Sequence, residues 1–282
     1  VAIAVEPQIL LKNAICINGP RKSMSYVKAL NSVVRAPAIL NGKKHLFLLS
    51  HMRANTSLMG HLLGSHPEIN GYYEMHIGYY SRKSLLRQKM MYCQQHRLKK
   101  RSDYMFDKVL HNEHYVSDTI LEHPNTRFLL SIRAPEYTIP SIVSLYKKAH
   151  PEHEFTQPHK AAAYYCARLN YLADFALVAN TDYLYFDADV VKVTPSSTLC
   201  TFSKFLELKT PLSPKYEKMH NTGKAKAGDS STSLMKGEII QSQLTTTTNL
   251  PYQHSGFFEE CQQTYNNARR ILMANARESV TI

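Results

Sequence analysis

"HLFLLSHMRANTSLMGHLLGS", His45 to Ser65, decides how this chain is read. Its first six residues are a short apolar run bounded by polar ones, the pattern of a buried strand. A polar turn containing Arg53 follows. The next segment is opened by Thr56 and Ser57 and carries Leu58, Leu62 and Leu63 at the spacing of one helix face. A strand that turns into a helix leaves the first helical N–H groups without partners, and the helix dipole adds partial positive charge at that end. Arg53, Ala54, Asn55, Thr56 and Ser57 add a guanidinium, a flexible turn residue and two hydroxyls, which suits the loop to a phosphate-like anion. The loop has neither glycine nor lysine, so it is not the G-x-x-x-x-G-K-[ST] loop of nucleotide triphosphatases. The same residues also fit a plain helix cap beside a surface arginine.

Working outward, strand and helix patterns alternate. Strands are predicted over 69–75, 103–110, 127–133 and 182–191. Helices are predicted over 79–95, 135–149 with proline in the first turn, 161–179, after Pro195, and 252–276. A short helix is expected near 24–34. This alternation predicts an α/β fold with a mostly parallel central sheet flanked by helices. Residues 1–44 read as an extension packed on the domain, 45–240 as the α/β domain, and 241–282 as a linker with a C-terminal helix. Residues 221–231 are small, polar and basic and read as a loop. "QSQLTTTTNLPYQ" reads as a low-complexity linker.

At 282 residues the chain is long enough for a sizeable core, and 44% hydrophobic with 20% charged residues is ordinary for a globular protein. The formal charge of +12 favours anionic partners. The run "HRLKKR", His96 to Arg101, reads as a solvated face. Basic residues are not interleaved with aromatics in any nucleic-acid motif, so no specific nucleic acid is expected. Five cysteines, without a CxxC, are scattered along the chain and fit a reduced, cytoplasmic protein. No apolar run approaches about 18 residues, so no transmembrane segment is expected. "VAIAVEPQILL" contains Glu6 and Pro7 and does not read as a signal peptide. "HNEH", His111 to His114, has ligand-like spacing on a predicted helix but no third ligand, so no metal is expected.

A second motif changes the reading of the first. In "RFLLSIRAPEYTIPS", Arg133 ends the strongest strand and Ser141 follows eight residues later, about two turns into a helix. Arg133 therefore belongs at the carboxyl edge of the sheet, where ligands of open α/β sheets bind. With Ser141 it can hold a second phosphate. Alternatively, Arg133 pairs with Glu136. The two motifs together resemble those of sulfotransferases that use 3′-phosphoadenosine 5′-phosphosulfate (PAPS). The family's 5′-phosphosulfate loop, P-[RK]-S-G-T-[TS]-[LW], is similar to Met52-Arg53-Ala54-Asn55-Thr56-Ser57-Leu58. Arg133 and Ser141 match its 3′-phosphate motif. "GKAKAGD", Gly223 to Asp229, resembles a late basic loop of the family. "YFDADVV" and "FLEL" (Phe205–Leu208) resemble a late strand and helix end. Met52 stands where the family has proline. Asn55 replaces the loop glycine, a position where asparagine tolerates left-handed backbone better than most residues.

The resemblance implies a P-loop NTPase-like three-layer sandwich and a cofactor site of Arg53, Ala54, Asn55, Thr56, Ser57, Arg133, Ser141, Lys224, Lys226 and Gly228. It implies PAPS as sulfuryl donor, adenosine 3′,5′-bisphosphate as product, and a hydroxyl or amine acceptor on a small molecule or glycan such as a carbohydrate or glycolipid. Arg53 is placed at the transferred group. Two bases compete. Glu74 corresponds to a glutamate used by carbohydrate-type relatives. His111 corresponds to the histidine of relatives acting on phenols and alcohols, with Lys108 as the nearby lysine. A carboxylate needs burial to titrate near neutrality and histidine does not, yet the position of Glu74 makes it the first choice. Tyr72, Tyr73, Tyr79 and Tyr80 are either an acceptor surface or ordinary core. The alternative readings are a magnesium-dependent small-molecule kinase using Asp187 or Asp189, and a non-catalytic nucleotide- or nucleic-acid-binding protein. Nothing in the pattern specifies an oligomeric state.

Overall fold

A computed structural model describes residues 42–179, 181–219, 222, 232–243 and 250–282. The helix expected at 24–34 and the loop bearing Lys224, Lys226 and Gly228 lie outside them. Strand β1, Lys44–Leu49, runs into helix α1, Thr56–Ser65. Then come β2 (Ile69–Asn70), α2 (Arg82–Gln95), β3 (Tyr104–Val109) and a short α3 (Asp118–Leu121). β4 (Thr126–Ile132), α4 (Pro135–Ala149), α5 (Pro158–Val178) and β5 (Tyr183–Asp187) follow. The chain closes with α6 (Val190–Val193), α7 (Pro195–Phe205), α8 (Gly256–Asn275) and β6 (Glu278–Val280). The six strands form one sheet in the order β2-β3-β1-β4-β5-β6, parallel throughout.

β1 lies at the centre, and its side chains alternate between two cores. Phe47 and Leu49 enter one with residues of α4, α5 and α8, whereas Leu46 and Leu48 enter the other with residues of α1 and α7. A parallel strand covered on both faces has no use for alternating polarity, which is why its sequence is a continuous apolar run. Tyrosines extend this core. Tyr104, Tyr165 and Tyr183 are buried, and each hydroxyl reaches a backbone carbonyl, of Leu206, Arg133 and Leu272 respectively. A buried tyrosine with its hydroxyl satisfied contributes area without an orphaned polar group.

Four predicted elements differ from those observed. The strand expected over 69–75 stops at Asn70, because Gly71 takes φ +97° and its Cα lies against the Phe106 carbonyl. The helix expected from 79 starts at Arg82, because Tyr79 bridges to Val116. The strand expected over 182–191 ends at Asp187, because the chain turns at Asp189, whose carbonyl accepts the Lys192 and Val193 N–H groups of α6. "HNEH" is a turn and not a helix. β6 went unpredicted because three partly polar residues carry no strand pattern. The run "HRLKKR" is also more than a solvated face. Lys99 Nζ donates to the Gly64 and His66 carbonyls at the end of α1, where a cation complements the helix dipole.

The layers fit closely where α1 crosses the chain after β2. A Cβ on Gly60 or Gly64, one turn apart, would run into the backbone or Cβ of Tyr72. Overpacking at such a site costs about 1–3 kcal/mol. Gly60→Ala should therefore lower the unfolding free energy by that amount, read as a lower urea midpoint with an unchanged slope; a variant as stable as the parent would show that α1 has room to move.

Candidate functional site

Strand order reverses direction between β1 and β4: β1 leads outward to β2, and β4 leads outward to β5 on the other side. Ligand crevices of open α/β sheets lie at such switch points, beyond the carboxyl ends of the strands. The two motifs meet there. Ser50 Oγ donates to the Ser131 carbonyl of β4 at 2.7 Å. His51 is fully buried; its Nδ1 bonds the Met52 carbonyl at 2.8 Å, and its Nε2 accepts the Arg133 N–H at 2.9 Å. That pattern requires a neutral ring with the proton on Nδ1, and burial holds the His51 pKa down to about 3. The Met52 N–H donates to Tyr164 Oη at 3.1 Å.

From this anchor the loop enters α1 with φ of 66° at Arg53 and 54° at Asn55, and no positive φ at Ala54 between them. Alternating handedness of this kind turns successive N–H groups into one concavity. α1 begins without a side-chain cap and with no acidic residue in its first turn. Uncapped N–H groups and the positive end of a helix dipole are the features that suit a helix start to an anion.

Arg53 Nε donates to Ser141 Oγ at 2.8 Å. Ser141, expected to act with Arg133, is therefore bonded to the loop arginine instead. Arg133 Nε donates to both oxygens of Asp189, at 2.9 and 3.1 Å, and its Nη1 reaches the Arg53 carbonyl at 3.3 Å. The alternative Arg133–Glu136 pair is not formed; the partner is Asp189 because β5 lies beside β4 and ends at the same edge. Asn55 Nδ2 donates to Asp189 Oδ1 at 2.7 Å and to the Ala188 carbonyl at 3.0 Å. Hence Asn55 both adopts the left-handed turn and braces the loop against β5. Asp187 accepts two bonds from Arg269, at 2.9 and 2.7 Å, and one from Tyr185 Oη at 2.7 Å. Both aspartates offered to the kinase reading are thus engaged by guanidinium groups.

A second cluster lies beyond the end of β3. Glu74 Oε1 is 4.0 Å from His111 Nε2 and 3.6 Å from His76 Nδ1, and is buried without a hydrogen bond among the described residues. The two bases posed as alternatives are therefore neighbours. Burial lowers the His111 pKa, so its ring favours the neutral form. Tyr164 joins the clusters: its ring lies 5.7 Å from His111 and its hydroxyl donates to the Leu110 carbonyl while receiving the Met52 N–H. Lys108 is elsewhere. It is buried on the face of β3 covered by α1, next to Gly60, because strand alternation sends it opposite Asp107. Asp107 is buried against Tyr79, which donates to it at 2.5 Å, and burial raises its pKa to about 7. Tyr79 and Tyr72 are therefore core, Tyr73 is half-buried, and Tyr80 is exposed.

Arg168, absent from the sequence expectations, completes the site. It is fully buried on α5 and donates to the Ser50 carbonyl at 2.8 Å, the Val109 carbonyl at 2.5 Å and Asn112 Oδ1 at 2.8 Å. His51, Tyr164 and Asn112 were likewise missed. One signal was present for Arg168, a lone cation inside the apolar run "AAAYYCARLNYL".

The sequence matches no protein-family profile. Nor does it match any curated protein. Among solved structures, it resembles the sulfotransferase domain from the curacin biosynthetic pathway, with a TM-score of 0.54 and 16% identity over 79% of this chain and 97% of that one. The two share a fold. The expected P-loop-like α/β sandwich is thereby observed, with all six strands parallel. Among the described residues no helix is long and apolar enough to cross a membrane.

The neutral, buried His51 makes stability depend on pH. In the unfolded chain it takes a proton near pH 6.5, whereas in the fold it resists until about 3. Its contribution is therefore intact above pH 6.5 and is lost as pH falls toward 3. His45, held to about 4, acts in the same sense; Asp107, raised to about 7, acts oppositely, adding stability as pH falls from 7. Comparison with His51→Asn, whose amide can donate and accept similarly, cancels the common groups. Between pH 6 and pH 4.5 the stability advantage of the parent should shrink by up to about 1.4 kcal/mol per pH unit; parallel pH profiles would mean that His51 is protonated in the fold.

Proposed function

We propose that the protein transfers a sulfuryl group from PAPS to a hydroxyl or amine of a small-molecule or glycan acceptor. The observation that carries this reading is the convergence of Arg53, Arg133 and Ser141 on one uncapped helix start, within a fold shared with a sulfotransferase domain. Two guanidinium groups side by side fit a ligand with two anionic groups better than one. When bound, PAPS supplies the sulfuryl group and leaves as adenosine 3′,5′-bisphosphate.

In this reading Arg53, Ala54, Asn55, Thr56 and Ser57 hold the 5′-phosphosulfate through N–H groups, hydroxyls and one guanidinium. Arg133 and Ser141 take the 3′-phosphate. Asp189 holds the Nε edge of Arg133, which leaves Nη2 without an acceptor among the described residues. Lys224, Lys226 and Gly228 extend the site. Arg53 meets the negative charge that grows on the 5′-phosphate oxygen, and fixed donors of this kind need no reorganisation during transfer. Glu74 takes the acceptor's proton, and the neutral His111 ring beside it orients the carboxylate or relays the proton onward. Lys108 tunes the field from beneath α1.

Calorimetric titration with adenosine 3′,5′-bisphosphate tests the anion site. Arg53→Ala and Arg133→Ala should each weaken binding by about 10- to 100-fold, the worth of a charged hydrogen bond; Arg53→Ala should melt near the parent, whereas Arg133→Ala also strips Asp189 of its cation and should melt lower. Undiminished binding in both would remove the assignment. Glu74→Gln should keep that binding and lower turnover by about 100-fold or more. Full turnover in this variant would transfer the base role to His111.

A further inference from the structure

Cysteines far apart in the sequence meet in the fold. Cys166 lies on α5 and Cys261 on α8, separated by 95 residues, and their sulfurs are 3.3 Å apart. Both are free thiols, and both are buried, Cys166 at 8% exposure and Cys261 at 0%. The separation leaves roughly 1 Å of approach to the ~2 Å of a sulfur–sulfur bond. Among the described residues no group of three or more His, Cys, Asp and Glu side chains could hold a metal ion. The pair is therefore suited to bonding with itself.

We propose that Cys166 and Cys261 form an intramolecular disulfide that clamps the C-terminal helix α8 to α5. The two sulfurs are not equivalent. The contact between the two sulfurs lowers the Cys166 pKa, while the same contact with burial pushes Cys261 up. Cys166, the more exposed, is the attacking thiolate. With a small disulfide such as oxidised glutathione, the Cys166 thiolate attacks one sulfur and expels one glutathione thiolate. Cys261 then gives up its proton and attacks Cys166 sulfur, expelling the second glutathione. Two protein thiols are oxidised and one small disulfide is reduced to two thiols.

The link has consequences because of what each helix carries. On α5, Tyr164, Tyr165 and Arg168 surround Cys166 in sequence and bond Met52, Arg133 and Ser50. On α8, Arg269 neutralises Asp187, and the Leu272 carbonyl accepts from Tyr183 of β5. β6 follows α8 and pairs with β5. A covalent tie at this point fastens the C-terminal segment to the helix that shapes the loop at Arg53. Closing a chain loop of this length restricts the unfolded state and stabilises the fold.

The test uses the whole chain, equilibrated in buffers of increasing oxidised-to-reduced glutathione ratio, denatured in iodoacetamide to block every remaining thiol, and digested without reduction. A peptide pair joining Cys166 to Cys261, two hydrogens lighter than the reduced peptides and reversed by dithiothreitol, is expected. The oxidised protein should melt at least about 5 °C higher. Cys166→Ser and Cys261→Ser should each lack that shift. Alkylation of both thiols at every ratio would overturn the proposal, as would a link between two chains, a link without a change in melting, or a shift that persists in both serine variants. The peptide map of the unaltered chain decides the matter even if a variant fails to fold.

Discussion

Arg168 is an arginine with no access to solvent, and its guanidinium ties two strand ends together. It donates to the Ser50 carbonyl just past β1, to the Val109 carbonyl that ends β3 and to Asn112, with Tyr171 stacked 4.9 Å away. A buried guanidinium is tolerated only where its donors are met, and here they are met by groups that a parallel sheet leaves unpaired at its carboxyl edge. From Ser50 the bonding continues through Ser131 to β4, and from His51 to the Arg133 N–H. One run of polar contacts thus spans the ends of three adjacent strands and holds the loop at Arg53 above them.

The charges at this edge are arranged in pairs that share partners. Asp189 accepts from Arg133 and from Asn55, so the carboxylate that aims one arginine also anchors the loop bearing the other. Asp187, two residues earlier, is engaged by Arg269 from α8. Both arginines are therefore held by fixed partners, Arg53 by Ser141 and Arg133 by Asp189. Glu74 is in a different situation: its Oε1 is buried with imidazoles at 3.6 and 4.0 Å and no hydrogen bond among the described residues. The aspartates, by contrast, have their oxygens met by guanidinium groups.

Tyr164 connects the two halves of the site. Its hydroxyl receives the Met52 N–H and donates to the Leu110 carbonyl, while its ring faces His111. A displacement of α5 would therefore be felt at the anion loop and at the Glu74 cluster together. Cys166 and Arg168 occupy the same stretch of this helix, so the segment combines covalent potential, a buried charge and the contact between the clusters.

Much of this was legible in the residues themselves. "HLFLL" and "RFLLSI" are apolar without interruption because a central parallel strand is covered on both faces, and no fold was needed to see it. Arg53 and the hydroxyls after it, and Arg133 at the end of β4, could be placed at strand-to-helix turns because such turns are local. Elements failed where a distant partner decided them: Gly71 breaks a strand because Phe106 lies against it, and Tyr79 stays out of a helix because it bridges to Val116. Lys108 fell on the opposite face from the histidine cluster because strand alternation sends it toward α1. The sequence by itself determined the alternation of strands and helices and the two strand-to-helix turns at Arg53 and Arg133, since propensity, capping and apolar periodicity act over a few residues. Only the tertiary structure decided which charges meet. Ser141 bonds Arg53 across 88 residues and Asp189 bonds Arg133 across 56, pairings that follow from the strand order β2-β3-β1-β4-β5-β6 and from no local pattern.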